Sequence, residues 1–212
     1  MTTNQYPVVL TTEGISAGNE EVVDANVDVV NAMYEALLGP EEIAPNAVRS
    51  YFVDYYVTQV LDGGFAQYVL LSPDREELDA YIRDGFAGMG AHRQLELFNR
   101  ATALFDSLSD QDADSYLYAG LGEAVPRAEG VKGMEILDEV FQDLLETEDI
   151  TGLNASWLRS QDALLVLDAA GLERHIAERV ALIPDLAERQ AEAAEAERED
   201  VPEFDGDEFA IA

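Results

Sequence analysis

Apolar residues recur three and four positions apart through most of the chain, which is the spacing of one face of an α-helix. The segment from Glu20 to Leu38 shows this spacing at Val23, Val27, Val30, Tyr34 and Leu37. Segments with the same spacing follow it along the chain, separated by glycine and proline. A chain with this pattern buries one stripe of each helix against its neighbours, so the pattern favours a helical bundle.

Glycine and proline mark where these segments end. Gly39-Pro40 ends the first, Gly63-Gly64 interrupts the second, and Pro184 interrupts the last. We therefore predict an all-α, single-domain bundle of about seven to nine helices. The apolar run at residues 164–167 favours one short β element, and residues 110–115 read as a polar loop.

The chain divides into three parts. Residues 1–19 show no periodicity and predict an irregular N-terminal arm, residues 20–184 hold the helical domain, and residues 185–212 predict an acidic helix with a flexible tail. No apolar run approaches the ~18 residues of a membrane span. The first residues also lack the basic and apolar stretches of a signal peptide. We therefore expect a cytoplasmic protein.

Charge excludes several functions. The chain has 44 acidic and 12 basic side chains, a net charge of −32, and yet 48% of its residues are hydrophobic, too many for a disordered chain. Direct binding to nucleic acid or to an anionic membrane needs clustered Lys and Arg, so both are excluded. The absence of cysteine excludes thiolate chemistry, and His92 and His175 lack a partner at the spacing of a zinc or triad site. We expect no catalytic residue, no metal and no cofactor.

The acids are unevenly distributed. No basic residue precedes Arg49, and residues 185–212 carry eleven acids against two arginines. Residues 49–105, in contrast, carry eight acids and five arginines. Uniform acidification, as in a salt-adapted protein, would not spare the middle of the chain. The pattern favours a specific acidic surface.

Three stripes of acids follow helical spacing, which places each stripe on one face of a helix. The C-terminal stripe spans about 21 Å of helix and consists of Asp185, Glu188, Glu192, Glu195 and Glu199. The central stripe consists of Glu135, Asp138 or Glu139, Asp143 and Glu146. The N-terminal stripe consists of Glu20, Asp24 and Asp28. A solvated outer face of an ordinary amphipathic helix would show the same spacing, so the stripes alone do not define a site.

The most distinctive run is Val60-Leu61-Asp62-Gly63-Gly64-Phe65-Ala66-Gln67-Tyr68. It resembles the hallmark of the DNA-mimic protein-like family, Asn-Gly-Gly-Phe-x-Gln-Tyr-Phe, with Asp62 in place of Asn and Val69 in place of the last aromatic. The physical reading of the run is structural. Two glycines permit positive φ and close helix contact, Phe65 and Tyr68 can face the core together, and Gln67 can satisfy backbone groups at the break.

The resemblance implies an acidic, non-enzymatic protein that presents a phosphate-like surface to a basic DNA-binding protein, such as a transcription factor or nucleoid protein. It also implies a possible homodimer. Two alternatives stay open on the residues alone. One is a salt-adapted globular protein without a specific partner, and the other is an enzyme that uses paired carboxylates.

Overall fold

The computed structural model describes residues 6–118 and 128–199. In chain order its elements are β1 (Val8–Thr11), α1 (Thr12–Ser16), α2 (Asn19–Glu35), a 3-10 turn (Pro40–Glu42), α3 (Pro45–Leu70), α4 (Arg75–Met89), α5 (His92–Asp106), α6 (Asp110–Leu117), α7 (Glu129–Leu145), α8 (Ile150–Arg159), β2 (Leu164–Leu167), α9 (Ala169–Val180) and α10 (Leu186–Glu199). The all-α prediction is confirmed, with ten α-helices among the described residues rather than seven to nine. No helix among them is long and apolar enough to cross a membrane.

The predicted short β element at residues 164–167 is confirmed, and its partner is the segment expected to be irregular. β1 pairs with β2 in parallel, with Val8 opposite Leu164. Val8, Val9 and Leu10 are all buried. Residues 8–16 are therefore regular structure, because burying three successive apolar residues requires a strand partner for their backbone groups.

Residues 110–115, expected to be a polar loop, lie in helix α6. Ser109 caps this helix by accepting a hydrogen bond from the Asp112 amide at 3.2 Å. Tyr116, one turn further on, is buried. The cap and this single buried aromatic outweigh the low helix propensity of an Asp-rich segment.

The buried side chains form two cores that meet along α3. The aromatic core lies between α3, α4, α5 and α7, and its largest buried members are Tyr56, Tyr68, Phe65, Phe86, Phe98 and Phe141. The aliphatic core lies between β1, α2, the start of α3 and α8. Its members include Val8, Val22, Val30, Val48 and Leu158. Because α3 contributes to both cores, its course fixes how the two halves pack.

Tyr56 sits at the centre of the aromatic core. Its ring packs nearly perpendicular to those of Tyr68, Phe86, Phe98 and Phe141, with centroids 4.9–6.0 Å away. Edge-to-face pairs of this kind contribute about 0.5–1.5 kcal/mol each beyond the burial of their area. The aromatic-rich segment before Gly63 thus supplies the centre of this core.

Helix α3 is broken at the two glycines, as the sequence predicts. Gly63 has φ −152° and ψ 26°, and Gly64 has φ 70° and ψ −176°. The Gly64 conformation is open almost only to glycine. A Cβ atom at Gly64 would also lie 3.1 Å from the Asp138 carboxylate of α7. The break therefore requires glycine both for its backbone and for its contact with α7.

We predict that Gly64→Ala lowers the free energy of unfolding by about 2–3 kcal/mol, because it adds a close contact to the backbone strain. Gly90→Ala is the matched control. Gly90 also has positive φ (80°), but a Cβ there would meet nothing within 4 Å, so we expect a loss of about 1 kcal/mol. Urea unfolding measures both. Equal losses of unfolding free energy in the two variants would show that the contact with Asp138 does not lower stability.

Candidate acidic interface

The Gly-Gly-Phe run positions a half-buried carboxylate rather than a reactive group. The break leaves the Phe65 amide at the start of the second half of α3, and it donates to Asp138 Oδ1 at 2.8 Å. The Tyr116 hydroxyl donates to the other oxygen, Asp138 Oδ2, at 2.8 Å. Burial raises the pKa of Asp138, although both hydrogen bonds act to lower it. Asp138 thus caps the restarted helix and ties α6 and α7 to it.

Asp138 was one of two alternatives for the central stripe, and the structure excludes it from the exposed face. Glu139 is the exposed one of the pair. Gln67 also differs from its predicted role. Its side chain donates to Gln59 Oε1 at 3.0 Å across the break, and Asp138 satisfies the Phe65 amide instead.

The other motif side chains face inward as predicted. Phe65 and Tyr68 are both buried. The Tyr68 hydroxyl donates to Asp79 Oδ1 at 2.7 Å, and Asp79 is also 3.3 Å from Arg83 and 3.6 Å from Arg75. The buried carboxylate of Asp79 and the half-buried one of Asp138 are thus both hydrogen-bonded to residues of the aromatic core. The grooves along α5–α7 and at the start of α4 are lined by neither of them.

The N-terminal stripe lies on the outer face of α2. Glu20, Asp24 and Asp28 are exposed, whereas the opposite face of α2 is buried in the aliphatic core. Within the described residues, none of the three acids forms an ion pair. A line of uncompensated carboxylates therefore faces solvent along the first three turns of this helix.

Sequence reasoning missed Asp54 on α3, which faces Asp24. Asp54 is half-buried, and within the described part of the chain it has neither a hydrogen bond nor an ion pair. Burial, and to a smaller extent the charge of Asp24, raise its pKa to about 6. The signal in the sequence is weak: a single acid between Val53 and Tyr55 in an aromatic-rich helix. Asp54 extends the charged face of α2 onto α3 at a cost in stability, which is common for functional groups.

We predict that Asp54→Asn raises the free energy of unfolding at pH 7.5 by about 1–2 kcal/mol, less than the full shift because the side chain is partly exposed. The folded carboxyl keeps its proton up to about pH 6, whereas the unfolded one loses it near 3.8. The charged form therefore costs stability above pH 6, and the gain disappears below about pH 4.

Urea unfolding at pH 7.5 and pH 3.5 measures this gain. Asp24→Asn serves as the comparison, because it removes the neighbouring charge but not the burial of Asp54, and we expect a smaller gain from it. A gain for Asp54→Asn that is the same at both pH values would come from packing and would contradict the charge argument.

The C-terminal stripe lies on α10 and the residue before it. Glu188, Glu192 and Glu195 are exposed and form no ion pair within residues 128–199. Asp185 pairs with Arg189 at 3.1 Å, so its charge is partly compensated. The Glu199 side chain lies outside the described residues. Of the five predicted acids, Glu188, Glu192 and Glu195 are uncompensated within the described residues, and they span about two turns of helix.

The central stripe on α7 has a different electrostatic setting. Glu139, Asp143 and Glu146 are exposed, and Glu135 is half-buried. Asp143 lines a groove between α5 and α7 together with Arg93 and Arg100. Glu96 lines the same groove, so the surface beside Asp143 carries charges of both signs.

One residue joins the helices that carry two of the three stripes. Arg189 of α10 donates to the Leu37 carbonyl, just beyond the end of α2, at 2.9 Å. The α7 stripe, in contrast, belongs to a helix that packs on α5 and α6 in the aromatic core. We call the exposed acids of α2 and α10, with Asp54, the acidic face.

A family model described as DMP19-like protein matches residues 41–161, more than half of the chain. The matched segment runs from the 3-10 turn to just beyond α8, and it includes the Gly-Gly-Phe run and the central stripe. The acids of α2 and α10 lie outside it. No curated protein and no solved structure matches the chain.

Proposed function

Because the chain belongs to the DMP19-like protein family, the DNA-mimic family that the Gly-Gly-Phe run resembles, we propose that its acidic face imitates DNA. In this proposal the face occupies the DNA-binding surface of a basic protein, such as a transcription factor or nucleoid protein, and excludes DNA from it. The observation that carries the proposal is the row of exposed acids on α2 and α10 without cationic partners among the described residues.

Charge spacing supports two stripes acting together. Duplex DNA carries one negative charge per ~1.7 Å of axis. Acids three or four residues apart on a helix are about 4.5–6 Å apart along its axis. One stripe is therefore roughly three times sparser than the duplex, and a second stripe is needed to approach its charge density.

The net negative charge of the chain also favours encounter with a basic partner. A net charge of −32 on 212 residues produces a long-range attraction that steers a cationic surface toward it and speeds association. At physiological ionic strength this attraction extends about 8 Å, so it falls steeply as salt increases. The acids without internal partners keep their full charge for this contact.

Asp54 favours a specific partner over general salt adaptation. Salt-adapted proteins add acids at exposed positions, where they cost little. Asp54 is half-buried and has its pKa raised by that burial, so as a carboxylate it destabilises the fold. A cationic side chain from a partner placed between Asp24 and Asp54 would remove this cost.

Matched charge variants test the proposal. A partner is first captured from a cell lysate on the immobilised protein at about 50 mM salt and then purified. Its affinity is compared for three triple variants, each of which removes three charges. They are the α10 variant (Glu188→Gln, Glu192→Gln, Glu195→Gln), the α2 variant (Glu20→Gln, Asp24→Asn, Asp28→Asn) and the α7 control (Glu139→Gln, Asp143→Asn, Glu146→Gln).

We expect the α2 and α10 variants each to bind about tenfold more weakly, since three contacts of about 0.5 kcal/mol are lost. The α7 control should bind within about twofold of the unmodified protein. Equal losses in all three variants would contradict the proposal, because affinity would then follow net charge rather than the acidic face.

A further inference from the structure

Helix α10 is attached to the rest of the protein by its first turn. Ile183, just before the helix, is buried in the aliphatic core, and Leu186 packs against it. Beyond Arg189, no hydrogen bond or ion pair among the described residues joins α10 to another element. The direction of this helix, and so of its acids, is therefore set near its start.

Arg189 makes a set of contacts that fixes this first turn. Its Nη1 donates to Glu42 Oε2 at 2.7 Å and to the Leu37 carbonyl at 2.9 Å. Its Nη2 lies 3.3 Å from Glu42 Oε1 and 3.1 Å from Asp185 Oδ1. A guanidinium held by a carboxylate through both of its terminal nitrogens has one orientation.

The acceptors of Arg189 are themselves held in place. Glu42 Oε2 also accepts the Gly39 amide at 2.8 Å. Leu37 has φ 68°, a left-handed conformation that residues other than glycine rarely adopt. The Leu38 amide bonds back to the Met33 carbonyl at 3.0 Å and closes the end of α2 around Leu37. The Leu37 carbonyl is thus presented to α10 by a turn with little freedom.

The positive charge of Arg189 lowers the net negative charge of the C-terminal stripe, so its presence there needs a structural explanation. Its side chain is only 24% exposed, and all its contacts run to Glu42, Leu37 and Asp185. Arg198 on the same helix is exposed, so position on α10 alone does not produce these contacts.

We propose that Arg189 is a positioning residue that fixes the direction of α10 against the turn after α2, and thereby the direction in which the acids of α10 face. The effect of this direction on partner binding rests on the proposed function, whereas the effect of Arg189 on the direction of α10 does not. Among the described residues, release of Arg189 leaves α10 attached through the apolar contacts of Ile183 and Leu186, so the direction of its acids is no longer fixed.

Spin labels measure the structural part without any partner. The chain has no cysteine, so Thr58→Cys on α3 and Ala196→Cys on α10, both at exposed positions, give one labelled pair. We expect a narrow distribution of the distance between the two labels in this double-cysteine protein, and the same distribution when Arg198→Gln is added. With Arg189→Gln, or with Glu42→Gln as a second way to release the clamp, we expect the distribution to widen at least twofold. Unchanged distributions in both variants would overturn the inference and leave the proposed function standing.

Binding of the captured partner tests the effect of this direction on binding. Arg189→Gln makes the protein more negative, so attraction by total charge alone predicts tighter binding. We expect binding at least threefold weaker, because the acids of α10 no longer face in one fixed direction. Tighter or unchanged binding, with the distance distribution widened, would overturn the effect of this direction on binding. Arg198→Gln makes the same change of charge without touching the clamp, and we expect it to bind as tightly as the unmodified protein or more tightly.

Discussion

The hydrogen bond from the Phe65 amide to Asp138 joins α7 to the second half of α3 on the aromatic-core side of the molecule. Helix α3 contributes to both cores and breaks at Gly63-Gly64 within the aromatic core. The break exposes a backbone donor inside the protein, where an unsatisfied amide costs about 1–3 kcal/mol. Asp138 satisfies it from α7, so the glycine run, α7 and the aromatic core depend on one another. The acidic face is carried by helices attached to this frame.

The protein separates its acids into two kinds. Asp79 and Asp138 are hydrogen-bonded to aromatic-core residues, whereas Glu20, Asp24 and Asp28 of α2 and Glu188, Glu192 and Glu195 of α10 form no ion pair among the described residues. Exposed like charges at helical spacing cost only a few tenths of a kcal/mol per pair, which the two cores offset. The repulsion among the exposed acids therefore lowers the stability of the fold only slightly. Asp54 lowers it more, because its carboxylate is half-buried.

The sequence predicts what depends on local spacing and misses what depends on distant partners. Helical apolar spacing and the glycine break identify the helices and the course of α3. The pairing of β1 with residues more than 150 positions away leaves no local trace. The choice between Asp138 and Glu139 for the exposed face depends on the Phe65 amide, 73 residues earlier. From the sequence, Arg189 is expected to pair only with Asp185, four residues earlier. Its other acceptors, Glu42 and the Leu37 carbonyl, are about 150 residues away, and the sequence around Arg189 does not indicate them.

Competition with DNA tests the central claim most directly. The captured basic protein, bound to a labelled 20-base-pair duplex, is titrated with the acidic protein at about 100 mM salt, and complexes are separated by native electrophoresis. The account predicts that the duplex is released free, and that its apparent Kd rises linearly with the concentration of the acidic protein, as for two ligands sharing one surface. A complex that contains duplex, basic protein and acidic protein together would contradict it, because the acidic face would then bind elsewhere than on the DNA-binding surface.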